Sequence, residues 1–368
     1  MIKSSPFTTI FALFSMGCTA APSAKTDTAD IIIEPTSVPP ADLECIPGGS
    51  FKSVVGQPVT GREYAAMCEP HVGIPPEFDC NEGVLIPVTV NGQPDWTHRD
   101  FYDCDENSLQ LGQCVPGSTI QRFSGRTAEG EELPEVVWVG FCRTQFSVND
   151  GNESTYENGI QIIGYNYETG ATCMFNNRTS FGFHDGTTHT EEAWKAKGEV
   201  PSVDNPRFDE VMGIPILPQC TLCHRSSPFV HNSWIDQARL PENPDEPVLP
   251  TINDPNQPFW VIGASDWDMR TVHIDDNGCV RCHRANMGLS ELYVTHRWDP
   301  NEHMPPLDPG SMAADYQALL NCWENGPENT SKCDWVIPPG GGCEGGSVGD
   351  DYPFKLPFEL PNENPEDY

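Results

Sequence analysis

The sequence predicts a mixed fold class, in which a disulfide-rich, β-rich N-terminal domain is followed by a mainly α, loop-rich domain. Residues 44–198 hold short β-branched and aromatic runs bounded by turn residues, together with seven of the 15 cysteines. Residues 199–345 are rich in proline and carry the pentapeptide Cys-x-x-Cys-His twice. The remaining segments are a predicted signal peptide at 1–18, a flexible tether at 19–43 and an acidic, Gly/Pro-rich tail at 346–368.

The N-terminus predicts export. A positively charged start, Met1-Ile-Lys3, precedes the apolar run Pro6–Met16, which suits a secretory signal and is too short for a transmembrane helix. The segment Phe14-Ser-Met-Gly-Cys18 resembles the lipobox of bacterial lipoproteins, which implies that Cys18 is lipidated and becomes the mature N-terminus. The alternative is a plain cleaved signal with an unrelated cysteine. We therefore expect a periplasmic or cell-surface protein that is lipid-anchored to a bacterial membrane, with the outer membrane favoured.

Four segments predict strands of the N-terminal domain. Val84–Gly92 and Glu135–Phe141 are β-branched and aromatic runs bounded by turn residues. Gly159–Asn166 and Ala171–Phe175 flank the tetrapeptide Tyr-Glu-Thr-Gly, a pattern typical of a β-hairpin. A domain of this size can bury a core of its own, and we expect disulfides to reinforce it.

The cysteine count predicts those disulfides. Four of the 15 cysteines belong to the two pentapeptides and one to the lipidation site, which leaves ten, an even number. Seven of the ten precede the pentapeptides and three follow them, so complete pairing requires at least one bridge between the N-terminal region and the C-terminal end. Disulfides form in oxidising compartments, which agrees with export.

Two helices are predicted in the second domain. Cys279–Trp298 has an apolar stripe at Leu289, Leu292 and Tyr293, spaced as on one helix face. Ala313–Gly326 has the clearest helical pattern, and its glycine marks the end of the helix.

Each pentapeptide is typical of the attachment site of a c-type haem. The two motifs are Cys220-Thr-Leu-Cys223-His224 and Cys279-Val-Arg-Cys282-His283. The two thiols add across the vinyl groups of the porphyrin, because a spacing of three presents both to one haem edge, and the histidine binds the iron. A four-cysteine zinc site and ordinary disulfides are the alternatives. The 59 positions between the two motifs exceed the roughly 15–20 residues usual between the pairs of such a zinc site.

With two such motifs the chain resembles dihaem c-type cytochromes, which implies two covalently bound haem c groups and electron transfer. A second resemblance concerns the segment Glu302-His-Met-Pro-Pro306 and the helix after it. In the lobes of class I cytochromes c, a methionine before proline binds the iron and the following helix covers the haem. Met304, the helix at 313–324, Trp323 and Gly326 match those places.

The sixth ligand of each iron decides between electron transfer and catalysis. Only 21 positions separate Met304 from His283, fewer than in class I lobes, so the alternatives are that Met304 serves the first haem instead or that His303 is the ligand. Met304 as an ordinary core residue is a further alternative. His231 is a candidate ligand of a neighbouring haem. Two weaker candidates of the same kind are His273 and His296.

The net charge indicates the class of partner. The chain has 54 acidic against 20 basic residues, a net charge of −34. A nucleic-acid surface needs clustered lysine and arginine, so we expect no nucleic-acid partner. The acidity keeps an exported protein soluble, and it would also steer a basic redox partner protein.

These observations predict an electron-transfer protein in which two haems carry electrons and the N-terminal domain is a mount or a docking surface. The first alternative is a dihaem oxidoreductase, such as a peroxidase with one open haem, although the sequence assigns no catalytic residue. The second alternative is a surface binding protein in which the haem is structural. Two low-spin irons would favour electron transfer, and an open, high-spin iron would favour the enzyme.

Overall fold

The computed structural model describes residues 43–45, 51–53, 60–97, 102–108, 112–148, 154–177, 181–184, 188–213, 220–221, 223–263, 269–282, 284–286, 312–341 and 345–347. Contacts divide the chain into two units, residues 1–36 and 37–368, and every described residue lies in the second unit. The predicted signal peptide with Cys18, and nearly all of the predicted tether and tail, lie outside the described residues.

The α-helices are α1 Gly61–Val72, α2 Glu191–Trp194, α3 Phe208–Val211 and α4 Ala313–Asn325. Short 3-10 helices occupy Cys80–Glu82, Ile235–Gln237 and Gly278–Arg281. The strands are β1 Leu43–Cys45, β2 Phe51–Ser53, β3 Phe78–Asp79, β4 Val84–Leu85, β5 Thr89–Val90, β6 Gln93–Pro94, β7 Thr119–Arg126, β8 Glu132–Val148, β9 Ser154–Asn166, β10 Ala171–Asn177, β11 Phe181–His184, β12 Glu199–Val200, β13 Met212–Gly213, β14 Arg239–Leu240, β15 Asn243–Pro247, β16 Trp260–Val261, β17 Thr271–Ile274, β18 Ala285–Asn286, β19 Cys333–Ile337 and β20 Gly346–Ser347.

The largest sheet has the order β13-β10-β9-β8-β7-β4, and neighbouring strands along it are antiparallel. Strand β11 pairs with β9, and β16 lies parallel to β10. The predicted hairpin is confirmed as β9 and β10, whose turn ends at Gly170 with a φ of 73°. The predicted strand at 135–141 lies inside β8. The run at 84–92 forms two shorter strands, β4 and β5, with Pro87 between them, a residue that has no N–H for pairing.

Helix α1 packs on this sheet, although the sequence patterns considered above did not predict it. Thr60 and Glu63 form a capping box, in which each side chain accepts the backbone N–H of the other residue over 3.1 Å. Tyr64 is fully buried, and its hydroxyl donates to the carbonyl of Ile262 over 2.9 Å. A disulfide between Cys68 and Cys173 joins the helix to β10.

The main cluster of buried residues lies between α1, the large sheet and the segments that follow it. Its fully buried aromatic residues are Tyr64, Trp138, Tyr165, Phe175, Phe208, Phe229 and Phe259, so it includes residues from both sides of position 198. The predicted disulfide-rich, β-rich character is confirmed. The four described disulfides are Cys68–Cys173, Cys80–Cys142, Cys104–Cys114 and Cys322–Cys333.

A second cluster lies beneath a small sheet of order β18-β17-β19-β20. It consists of Val272, Ile274, Val280, Leu319, Cys322, Trp323 and Trp335. Helix α4 supplies three of these residues, and the disulfide Cys322–Cys333 joins it to β19. The helix predicted over 313–326 is confirmed, and Gly326 ends it with a φ of 73°.

The predicted mainly α haem domain is wrong. In the described part of residues 199–345, the regular elements are the short strands β12 to β19, the helices α3 and α4, a helical turn at the first motif, and the 3-10 helices Ile235–Gln237 and Gly278–Arg281. The helix predicted over 279–298 is contradicted at its start, where the 3-10 helix ends at Arg281 and β18 follows. Strand β18 is held by pairing with β17, through Thr271 opposite Asn286 and Val272 opposite Ala285. The apolar spacing of the sequence predicted a helix there, but the pairing of β18 with β17 makes this part of the chain a strand.

The disulfides indicate that the protein matures in an oxidising compartment, because cytosolic thiols are kept reduced. This agrees with the predicted export. No helix within the described ranges is long and apolar enough to cross a membrane.

Candidate functional site

The first motif lies on one helical turn. The backbone N–H of His224 donates to the carbonyl of Cys220 over 2.9 Å, which closes a turn of the α-helical type. Residues three apart on such a turn share one face, so the side chains of Cys220 and Cys223 project on the same side. Cys220 packs against the main cluster, and Cys223 and His224 are partly buried.

The second motif begins on the 3-10 helix Gly278–Arg281, and Cys282 follows this helix as its C-cap residue. Asn277 caps this turn, because its Oδ1 accepts the N–H of Cys279 over 2.9 Å while its Nδ2 donates to the carbonyl of Asp315 in α4 over 2.9 Å. Residues i and i+3 eclipse on a 3-10 helix, so the turn places the side chains of Cys279 and Cys282 on the same face. Cys279 packs against the second cluster, whereas Cys282 is exposed.

Burial sets the protonation of the motif side chains. It raises the pKa of the Cys223 thiol to about 11. Burial, reinforced by the negative charge of Asp315, raises the pKa of Cys279 to about 11 as well. Burial lowers the pKa of His224 to about 4, so its imidazole is neutral at pH 7. Protonated thiols carry the S–H that addition to a vinyl group consumes, and neutral imidazole is the form that binds iron.

Buried polar atoms at the first motif and in the second cluster have no hydrogen-bond partner within the described residues. At the first motif the atom is Nδ1 of His224. At the second cluster the atoms are the indole nitrogens of Trp323 and Trp335. A buried donor without an acceptor costs about 1–3 kcal/mol. The propionate carboxylates of a haem would supply acceptors for the indole groups, so the residues present fit this cofactor.

The resemblance to dihaem c-type cytochromes is nevertheless wrong as a statement about family. The described residues are mostly β, with four α-helices and four disulfides, and among them no three His, Cys, Asp or Glu side chains form a group that could hold a metal ion. The same holds for the likeness to a class I lobe, because α4 packs against β17 and β19 of a sheet. A pentapeptide specifies local chemistry, and the same chemistry occurs on unrelated folds.

Neither alternative for the motif cysteines is found among the described residues. A four-cysteine zinc site is not assembled by the described residues. Disulfides within the motifs are absent as well, because Cys223, Cys279 and Cys282 are thiols.

The structure describes only some of the candidate sixth ligands. His231 is buried, and both of its ring nitrogens are engaged, Nδ1 with Asp236 at 2.7 Å and Nε2 with the carbonyl of Pro250 at 3.0 Å. His273 in β17 is bonded through Nε2 to Asp275 at 3.1 Å. Four further predicted site residues lie outside the described ranges: His283, His296, His303 and Met304.

Several residues at the site were missed by the sequence patterns. The Asn277-Gly278 dipeptide before Cys279 is an N-cap signal that could have been recognised. Arg284 and Asn286 carry no such signal, because their partners are backbone carbonyls 58 and 63 residues away.

Comparison with known proteins adds no relative: no family model, no curated protein and no solved structure matches the chain.

Proposed function

We propose that this chain is an exported electron-transfer protein that binds two haems covalently, one at each Cys-x-x-Cys-His motif. The residues assigned to haem binding are Cys220, Cys223, His224, Cys279, Cys282 and His283. The observation that carries the proposal is a contrast among the cysteines. Eight described cysteines form four disulfides, whereas Cys223, Cys279 and Cys282 remain thiols in the same oxidised protein. Thioether bonds to a porphyrin give these thiols a chemical role.

The local geometry supports the proposal without requiring a cytochrome fold. In each motif one helical turn brings two thiols to the same face, which is what attachment along one porphyrin edge needs. Covalent attachment involves the thiols and the vinyl carbons, so it requires no preassembled cluster of metal ligands. His224 and His283 would each hold the iron of one haem through a ring nitrogen.

A bound haem supplies an iron centre that exchanges one electron. The protein residues orient that centre and set its potential. Met304 or His303 is proposed as a sixth ligand, and a thioether would raise the potential whereas a second imidazole would lower it. The buried indole groups of Trp323 and Trp335 are proposed to bind propionates of the second haem.

Cys18 and the net charge of the chain support a proposal for the compartment and for the class of partner. We propose that Cys18 is acylated and that lipid anchors the protein to a bacterial membrane, at the periplasmic or cell-surface side. The net charge of −34 favours a basic redox partner, which the acidic surface would attract at low ionic strength.

The test is the intact mass of the full chain produced with a periplasmic haem-attachment system. We expect the mass to increase by two haems. A Cys279→Ser/Cys282→Ser variant should retain one haem. The matched control is Cys322→Ser/Cys333→Ser, which removes a disulfide from the same cluster and should retain both haems.

Mass spectra without haem, accompanied by zinc or by disulfides within the motifs, would contradict the proposal. Optical and magnetic spectra of the haem-loaded protein then separate the alternatives. Two low-spin irons support electron transfer, and Met304→Ala or His303→Ala should open one of them to carbon monoxide. An iron in the wild-type protein that already binds peroxide would favour the oxidoreductase instead.

A further inference from the structure

Side chains that follow the second motif bind the backbone of the first. Asn286 in β18 donates from Nδ2 to the carbonyl of Cys223 over 2.7 Å. Arg284 donates from Nη1 to the carbonyl of Ser226. These acceptors lie on either side of His224 along the chain. The helical turn of the first motif is therefore bonded, before and after its histidine, to the flank of the second motif.

Arg284 joins a third segment to the same contact. Its Nε donates to the carbonyl of Asp254 over 2.9 Å, and its Nη2 donates to the carbonyl of Gln257. The Arg284 residue is buried, with 1% of its surface exposed. A buried charge is costly unless it is hydrogen-bonded, and the planar guanidinium can bind three carbonyls in fixed directions where an ammonium cannot. Arg284 thus fixes the relative position of the segments it joins.

We infer that the two motifs form a single dihaem centre in which the haems are direct neighbours and exchange electrons within one molecule, with Arg284 and Asn286 as positioning residues. This inference rests on the proposed function, because it requires haem at both motifs. An electron that leaves one reduced iron reduces the other, oxidised iron, so the exchange needs no further reactant. The rate of electron tunnelling falls steeply with distance, so residues that fix the separation of the motifs also fix the rate.

The experiment uses the full-length, haem-loaded protein. Fewer than one electron per molecule is injected by a light pulse, and its redistribution between the haems is followed optically. In the wild-type protein the redistribution rate should be independent of protein concentration. Arg284→Lys keeps the charge but loses the three-way contact, and it should slow the redistribution at least tenfold with unchanged haem content. Magnetic coupling of the two oxidised irons should weaken in the same variant.

Arg122→Lys is the matched control, because Arg122 also donates to two backbone carbonyls, those of Pro247 and Val248, rather than to a motif. It should leave the rate and the magnetic coupling unchanged. If Arg284→Lys does not fold, Asn286→Ala, which removes one hydrogen bond, tests the positioning role instead. Wild-type rates in folded Arg284→Lys and Asn286→Ala proteins would overturn the positioning role. A two-haem protein whose redistribution depends on protein concentration would overturn this inference alone, whereas a protein without haem would contradict the proposed function itself.

Discussion

Glu106 shows what burial does to a single acidic residue in this strongly acidic chain. The side chain is partly buried, and its Oε2 has no hydrogen-bond partner within the described residues. Burial raises the pKa of Glu106, and the negative charge of Asp105 adds to this effect. A raised carboxyl pKa means that the folded state favours the protonated form. The free energy of unfolding therefore loses a contribution as the pH rises through the folded-state pKa.

Glu106→Gln tests this reasoning. The variant cannot ionise, so it avoids the cost of burying a charge at neutral pH. We expect its free energy of unfolding in urea to exceed that of the wild type by about 1 kcal/mol at pH 7, with the difference disappearing at a pH below the ordinary pKa of glutamate. The control is Glu129→Gln at an exposed position, which should show no such pH dependence. A gain of equal size at both pH values would contradict the assigned cause.

Among the helices and strands, the sequence predicted those whose formation depends on residues close together in the chain. The hairpin of β9 and β10 was predicted because its turn sequence lies between the two strands. Helix α4 was predicted because its apolar period and its terminal glycine lie within one segment. The helix α1 was missed although Thr60 and Glu63 signal its start. The helix predicted from Cys279 failed because β18 depends on pairing with β17, which no local pattern reveals.

The disulfides offer an element-scale prediction, since they close loops of very different length. The bridge Cys68–Cys173 spans 105 residues and joins α1 to β10, whereas Cys104–Cys114 spans 10 residues within a loop. Loop-closure entropy gives about 5 kcal/mol for the long bridge and about 3 kcal/mol for the short one. We expect Cys68→Ala/Cys173→Ala to lower the free energy of unfolding by about 2 kcal/mol more than Cys104→Ala/Cys114→Ala. Urea titration of both variants measures this, and equal losses would contradict the loop-length argument.

For the whole molecule, the sequence predicted how the cysteines of each motif lie relative to one another, but it did not predict the architecture that holds them. The motif residues are adjacent in the chain, so their pairing on one turn could be predicted from spacing. The fold family could not, because a pentapeptide places no constraint on the strands and disulfides around it. The contacts that join the motifs span 58 and 63 residues, and nothing local signals them.

The cysteines of the whole chain leave one pair to be assigned. Ten cysteines lie outside the motifs and the predicted lipidation site, and eight of them form the four described disulfides. The remaining two are Cys45 and Cys343, one before the motifs and one after them. We predict that they are bonded to each other, since parity requires a bridge between the N-terminal region and the C-terminal end and this is the pair left for it.

A non-reducing peptide map of the mature protein tests this pairing together with the lipid anchor. We expect one pair of peptides, containing Cys45 and Cys343, that separates on reduction, and an N-terminal peptide that carries acyl chains on Cys18. Several acyl chains hold a protein firmly at a membrane, so Cys18→Ser should release the protein into the soluble fraction while the peptide pair persists. If Cys18 were instead found bonded to Cys45 or Cys343, it would not be acylated, and one of the ten remaining cysteines would be left without a partner.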